Sequence, residues 1–104
     1  MIAQIRLYTI NKGEMDAFLT HFQEAVVPWH KSVGVNIAST FVNRPQNEFI
    51  WVRTYDDEAD REAKQKLLNE SPLRAAMAAT LGSNVAKMEI RDVEVADVGA
   101  GLPA

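Results

Sequence analysis

Hydrophobic and polar residues follow two different periods along this chain, and together they predict the order of its strands and helices. Period-two alternation is the pattern of strands, whose successive side chains point to opposite faces, and it occurs in four segments: residues 2–10, 35–42, 48–55 and 84–95. The turn-forming sequence NRPQNE joins the second and third segments and predicts a hairpin. In the fourth segment the alternation changes phase after Ile90, which predicts a β-bulge near Arg91 and Asp92.

A helical period fills the first gap between strands. The sequence Asn11-Lys12-Gly13 predicts a turn, and a helix is predicted from about Glu14 to a stop at Gly34. The apolar stripe of this helix is Met15, Phe18, Leu19, Phe22, Val26 and Trp29. Pro28 lies late in the stripe and predicts a kink or a shortened helix, because proline has no backbone N–H to donate.

The second gap predicts a helical region that is broken in two. Asp56 or Asp57 is the expected N-cap of a helix that runs to about Asn69. Ser71-Pro72 then starts a short helix, since serine favours the N-cap and proline the first helical position. This short helix is predicted to end at Gly82 and to bury Leu73, Met77 and Leu81.

The resulting order, β-α-β-β-α-β, is typical of the ferredoxin-like fold of the α+β class. In that fold a four-stranded antiparallel sheet carries both helices on one face. A chain of 104 residues is enough for one domain. We therefore predict a single domain over residues 1–95, followed by a C-terminal tail or arm over residues 96–104.

The strands of this sheet are apolar on both faces. One face carries five aliphatic residues and one phenylalanine, which we call the aliphatic set: Ile5, Leu7, Ile37, Phe41, Ile50 and Val52. The other carries a polar–aromatic set, defined as Arg6, Tyr8, Trp51, Arg53 and Tyr55. We expect the aliphatic set to face the helices and the polar–aromatic set to lie on the uncovered face. Because a large exposed aromatic patch is uncommon, we expect a second copy of the chain to cover it across a two-fold axis.

Composition excludes several classes of function. The net charge is -3 and the basic residues are scattered, which argues against a nucleic-acid partner. There is no cysteine, and there is no Gly-rich phosphate loop and no Ser-His-Asp constellation, so thiolate, nucleotide-dependent and acyl-enzyme chemistry are not expected. No apolar run reaches the roughly 18 residues of a membrane helix. We expect a soluble, cytoplasmic protein with no membrane partner.

Four stretches of the sequence resemble the NIPSNAP family of dimeric α+β barrel proteins. They are YTINKGEMDAFLTHF, VVPWHKSVG, WVRTYDDEADREA and LLNESP. These weak matches come in order at compatible spacing over about residues 3–92. The chain departs from the family at its C-terminus, because VEVADVGAGLPA lacks the aromatic residue that family members often carry there.

The resemblance implies a homodimer whose two sheets form a barrel with the helices outside. The wider superfamily includes cofactor-free monooxygenases, haem-degrading enzymes and small-lactone isomerases, whereas the NIPSNAP branch has no agreed activity. No cofactor is predicted for this chain.

The polar–aromatic set supports two interpretations. In the first it forms a pocket, where Arg53 and Arg6 hold an anionic or enolate oxygen, Tyr8 and Tyr55 orient it, and Trp51 is an apolar wall. In the second these residues pack at a subunit interface, where arginine and aromatic residues are enriched.

Two histidines are the remaining candidates for chemistry. On a continuous helix His30 lies about 60° from the centre of the apolar stripe, near a pocket mouth, where it could act as a general base. The simpler alternative is a histidine bonded to backbone near the helix end. His21 and Glu24 share a helix side, but two ligands are too few, and no metal site is predicted.

Two functions of different classes follow. The first is a homodimer that binds a small apolar or aromatic molecule and acts as a cofactor-independent monooxygenase or isomerase, with His30 and Arg53 as catalytic residues. The second is a non-catalytic interaction or scaffold protein, in which the polar–aromatic set only forms the dimer. The sequence does not decide whether the protein is an enzyme.

Overall fold

The computed structural model describes residues 1–75 and 84–99, in which four antiparallel strands form one sheet. The strands are β1 (Ile2–Ile10), β2 (Asn36–Asn43), β3 (Glu48–Tyr55) and β4 (Val85–Glu94), in the spatial order β2-β3-β1-β4. A short 3₁₀ turn over Arg44–Gln46 closes the β2–β3 hairpin. The α+β class and the ferredoxin-like arrangement predicted from the sequence are confirmed.

The first helical region contains three segments rather than one continuous helix. These are α1 (Met15–His21), a π turn (Phe22–Val26) and α2 (Val27–Ser32). In the π turn the Val27 N–H donates to the Phe22 carbonyl, five residues earlier instead of four. The irregularity therefore begins before Pro28, which lies in the first turn of α2, where a missing N–H is tolerated.

The second helical region begins with α3 (Glu58–Glu70). The Asp57 side chain caps it, because its Oδ1 accepts a hydrogen bond of 2.8 Å from the Asp60 N–H. Residues 73–75 are helical as well. Most of the predicted short helix, including Met77, Leu81 and Gly82, lies outside the described residues, as does the end of the predicted tail. No helix in the described part of the chain is long and apolar enough to cross a membrane.

The two faces of the sheet are the reverse of the sequence prediction. Tyr8, Trp51, Arg53 and Tyr55 are buried beneath the helices, whereas Phe41 is 57% exposed. The helices present aromatic rings to this side, and Phe22 meets Trp51 edge-on with ring centroids 5.1 Å apart. Large rings fill the gap between a sheet and its helices and bury more apolar area than aliphatic side chains do, which explains the choice of face.

The opposite face of the sheet, which we call the open face, carries most of the aliphatic set. Leu7 pairs with Ile50, and Ile5 with Val52, so these four side chains share that face near its centre. Phe41 extends the row, since it pairs with Ile50 on the far side of β3. Ile37 is the exception within the set and packs against the core beneath the helices.

An irregularity in β2 explains why Ile37 and Phe41 lie on opposite faces. The β2–β3 register shifts between Ile37 and Ser39, which reverses the alternation along β2.

The prediction of a bulge near Arg91 and Asp92 is wrong, because the β1–β4 register shifts only between Thr9 and Ile10. The apparent change of phase in β4 instead reflects apolar residues on both faces of that strand.

Candidate ligand-binding site

A cavity of about 270 Å³ lies between the sheet and the helices. Strands β1, β3 and β4 form one side of it, and the π turn, α2 and α3 form the other. Its lining residues are Arg6, Tyr8, Phe22, Val26, Trp29, Trp51, Arg53, Gln65, Asn69, Arg74 and Met88. Apolar and aromatic side chains share this wall with three arginines and two amides, a mixture that can hold a small molecule, although the cavity is slightly smaller than the usual range of such sites.

Arg53 is the most deeply buried charge at the cavity, with 4% of its surface exposed. Its Nη1 lies 3.0 Å from His30 Nε2, and its Nη2 donates a hydrogen bond to Gln4 Oε1. Desolvation is the main reason that the pKa of Arg53 falls to about 10, which leaves the guanidinium charged at neutral pH. A protonated arginine is therefore held in place from both sides beneath the helices.

His30 is hydrogen-bonded to Arg53 but does not line the cavity. Its Nδ1 lies 2.8 Å from the Val26 carbonyl, which can only accept, so the ring proton is on Nδ1 and Nε2 accepts from Arg53. Burial is the largest cause of the fall in the His30 pKa to about 4, with Arg53 and Arg6 lowering it further, so the ring is neutral at pH 7.

The π turn brings His30 to this position. The imidazole is fully buried, although a continuous helix would place it beside the apolar stripe. A π turn holds more residues than an α turn and rotates the residues that follow it backwards. His30 therefore falls beneath the helix, and Trp29 beside it donates from Nε1 to the Leu68 carbonyl of α3.

Gln4 joins the two arginines. Its Oε1 accepts from Arg6 Nη1 at 2.9 Å and also from Arg53. Its Nε2 donates to Asp92 Oδ1 at 3.0 Å. Arg6 also donates from Nε to the Tyr8 hydroxyl at 2.9 Å, which leaves the phenolic proton available to another acceptor. A neutral amide therefore occupies the place between two guanidinium groups.

Trp51 is enclosed by cationic and aromatic groups. The Cζ atoms of Arg6 and Arg53 lie 5.5 and 5.3 Å from its ring centroid, within cation–π range. Tyr8 and His30 meet the same ring edge-on, at centroid distances of 6.1 and 5.2 Å. The Trp51 ring thus connects the residues of the site.

The structure brings together four of the six predicted site residues at the cavity wall: Arg6, Tyr8, Trp51 and Arg53. His30 contacts this group through Arg53. Tyr55 is buried in the core but does not line the cavity. Within residues 1–75 and 84–99, its hydroxyl has no hydrogen-bond partner.

Sequence reasoning missed Gln4, the residue that links Arg6 to Arg53. The signal was present, because Gln4 shares the period-two row of Arg6 and Tyr8. It also missed Met88 and the α3 residues Gln65 and Asn69, whose contribution depends on how β4 and α3 pack. Across the described ranges, no cluster of three or more His, Cys, Asp or Glu residues could hold a metal.

The fold and the cavity define an α+β protein of the ferredoxin-like type with a cavity between its sheet and its helices. The family model of NIPSNAP matches residues 3–94, and the chain belongs to the NIPSNAP family. The comparison with curated proteins found no match.

Solved structures show the same fold. An uncharacterized NIPSNAP domain protein from Burkholderia xenovorans has a TM-score of 0.87 at 18% identity, covering 97% of this chain and 100% of that one. A NIPSNAP family protein from Agrobacterium tumefaciens has a TM-score of 0.84 at 23% identity, covering 94% and 88%. A proposed antibiotic biosynthesis monooxygenase from Nitrosomonas europaea has a TM-score of 0.70 at 11% identity, covering 91% and 98%.

Proposed function

We propose that this protein binds a small molecule with an apolar or aromatic body in the cavity between its sheet and helices. The observation that carries the proposal is the cavity itself, which is walled by Phe22, Trp29 and Trp51 and contains a buried, charged Arg53. A purely structural core would fill this space with apolar side chains, because empty volume in a core is destabilising.

The site suits a cofactor-independent monooxygenase or isomerase. Arg53 and Arg6 would stabilise a developing enolate or phenolate, Tyr8 would orient it by donating its free proton, and Trp51 would hold the flat body of the substrate. One neighbour of similar fold is described as a proposed monooxygenase, but at 11% identity that likeness concerns the fold. The support for this activity is the chemistry of the cavity.

Two roles are considered for His30, general base and positioning residue for Arg53. As the predicted general base, it must first release the hydrogen bond that its Nε2 accepts from Arg53. In the geometry described here its neutral ring orients Arg53 towards its other partners. Tyr55 stands away from the cavity wall, so a direct contact with the ligand would require the ligand to extend beyond it.

The interface of the predicted homodimer is now proposed on the open face, because the polar–aromatic set is covered by the helices. Ile5, Leu7, Ile50 and Val52 are only partly buried in one chain, and Phe41 and Val93 are exposed. A second copy packed sheet to sheet would cover this aliphatic surface, which favours a two-fold dimer with the helices outside. The alternative scaffold function keeps this dimer but assigns no ligand to the cavity.

Native mass spectrometry of the protein purified from cells tests ligand binding. We expect a dimer that carries a stoichiometric additional mass. The Val26→Phe variant should lose that mass, because Val26 lines the cavity and a larger side chain reduces its volume. Val42→Phe is the matched control, since Val42 is 40% exposed and does not line the cavity. A bare dimer in which added aromatic compounds also fail to bind would favour the scaffold function.

A further inference from the structure

We propose that the ligand carries an anionic oxygen, which binds beside Arg6 and Arg53 and supplies the negative charge that the fold omits. This inference rests on the proposed function and narrows it, because it names the charge of the molecule as well as its apolar body. The chemistry is that of an aromatic or apolar carboxylate, phenolate or enolate.

The first observation is an imbalance of charge at the cavity. No carboxylate among residues 1–75 and 84–99 lies within ion-pair distance of Arg6 or Arg53; the ion pairs in these ranges involve other cations. Asp92 reaches the pair only through the Gln4 amide, and its side chain is 57% exposed and lies 3.8 Å from Arg61. A buried cation is normally paired, because removing its hydration is otherwise unfavourable.

The second observation concerns hydrogen-bond donors. Arg53 Nε and Trp51 Nε1 are buried, and neither has a partner in the described part of the chain. Both residues line the cavity and are at least nine-tenths buried, at 4% and 3% exposure. Buried donors are nearly always satisfied in native proteins. Neither atom has surface open to the cavity, so an oxygen that accepts hydrogen bonds from them must enter between the neighbouring side chains. If that oxygen is charged, it also balances the guanidinium groups of Arg6 and Arg53.

Part of the cavity wall favours an apolar body. This apolar part consists of Phe22, Val26, Trp29 and Met88. Gln65, Asn69 and Arg74 also line the cavity and add polar groups on the helical side. A flat ring that carries an acidic group therefore matches the apolar side chains with its ring and the arginines with its oxygens.

The test compares benzoate with benzamide, which has nearly the same shape and no charge. Binding to the intact protein is measured by ligand-detected NMR and isothermal titration at fixed ionic strength. We expect benzoate to bind at least about tenfold more tightly, as for a hydrogen bond to a charged rather than a neutral group.

The decisive variant is Gln4→Glu, which places a carboxylate between the two arginines without removing any cavity residue. We expect it to reduce benzoate affinity by about tenfold or more and to leave benzamide affinity within about threefold. Gln46→Glu is the control for net charge, because Gln46 is exposed in the hairpin loop. It should change neither affinity.

Each result has a separate meaning. Equal binding of benzoate and benzamide would overturn the anionic ligand but leave the proposed small-molecule pocket intact. Binding of neither compound at millimolar concentration would overturn both. A Gln4→Glu protein that binds benzoate as tightly as wild type would contradict the inference even if benzoate is preferred.

A phenol distinguishes the sources of the anionic oxygen. Ionisation of bound 4-nitrophenol is followed by its visible absorption, and a site for phenolate should lower its pKa by about one unit or more relative to the free compound. Tight benzoate binding with an unshifted phenol assigns the site to carboxylates. A lowered phenol pKa assigns it to phenolates or enolates, and either result supports the anionic ligand.

Discussion

The Nε2 atom of His30 lies 3.0 Å from Nη1 of Arg53, and both side chains are buried beneath the helices. The Val26 carbonyl fixes the proton of His30 on Nδ1, so the lone pair of Nε2 is directed at the guanidinium. The histidine is thus neutral because it is buried beside two arginines, and Arg53 is positioned because the histidine is neutral. The charged group at the cavity therefore depends on the π turn, which places His30 beside it.

Interaction between these two residues is measurable by a double-mutant cycle. We expect His30→Phe, Arg53→Met and the double variant to give a coupling free energy of about 1–2 kcal/mol in urea unfolding. The reason is that each single change leaves a buried partner unsatisfied, whereas the double change removes both.

The control cycle uses Asp16 and Arg44, whose side chains are 85% and 61% exposed in their 3.0 Å ion pair. Their coupling should be close to zero. A coupling of the same small size for His30 and Arg53 would show that the hydrogen bond between them does not stabilise the fold.

Burial of neutral His30 makes stability depend on pH. Its folded-state pKa of about 4 lies below the ordinary value of 6.5, so between these values the unfolded chain binds the proton and the folded chain does not. Stability therefore falls as the pH drops from 6.5 towards 4. We expect a loss of about 2 kcal/mol from this group between pH 7.5 and 5, measured by urea unfolding.

His30→Gln separates this effect from the titration of carboxylates. The amide can keep hydrogen bonds but does not titrate, so the loss between pH 7.5 and 5 should be about 2 kcal/mol smaller in this variant. An identical pH profile in the two proteins would mean that His30 is not buried in its neutral form.

Trp51→Ala should destabilise the fold of the chain rather than act directly on the proposed dimer. Trp51 is 3% exposed and packs against Phe22, Tyr8 and His30 beneath the helices. We expect the free energy of unfolding to fall by about 3–5 kcal/mol. The milder Trp51→Phe variant should remain folded with an unchanged dimer dissociation constant in sedimentation experiments. A weaker dimer in that variant would instead indicate that Trp51 lies at the subunit interface.

Self-association should depend on the open face instead. Ile50 pairs with Leu7 at its centre, so Ile50→Asp would bury a carboxylate between two sheets. We expect a folded monomer by analytical ultracentrifugation. Leu67→Asp, a change at a residue 48% exposed on α3, is the control and should stay dimeric. A dimeric Ile50→Asp protein would contradict the proposed interface.

The order of the elements could be predicted from the sequence because its signals are local. Alternation along IAQIRLYTI and FIWVRTY defines two strands, and the Asp57 cap and Gly34 mark ends of helices. Gly34 has a φ of +76°, a conformation that glycine adopts without strain.

The faces of the sheet could not be assigned in the same way. In β3, Ile50 and Val52 alternate with Trp51 and Arg53, and both rows are apolar enough to meet a helix. The choice depends on the volume between sheet and helices, which aromatic rings fill better and which no single strand encodes. The π turn could not be predicted either, because the search for a fixed helical period assumes that every turn holds the same number of residues.

The grouping of the candidate site residues follows from the sequence more directly than their environment does. Arg6, Tyr8, Trp51 and Arg53 were grouped because they share one face, and they do line one cavity. Placing them on the wrong side made them candidates for an interface. Gln4 was overlooked because a glutamine on a strand is ordinary in sequence, and its importance comes from the two arginines that it joins.

A crystal soaked with 4-bromobenzoate tests the central claim most directly, because the anomalous signal of bromine locates the ring without reference to any assumed pose. We predict one strong peak in the cavity among Phe22, Trp29 and Met88, with the carboxylate towards Arg6 and Arg53. A peak only on the open face, or no peak in a crystal whose cavity is unobstructed, would contradict the account.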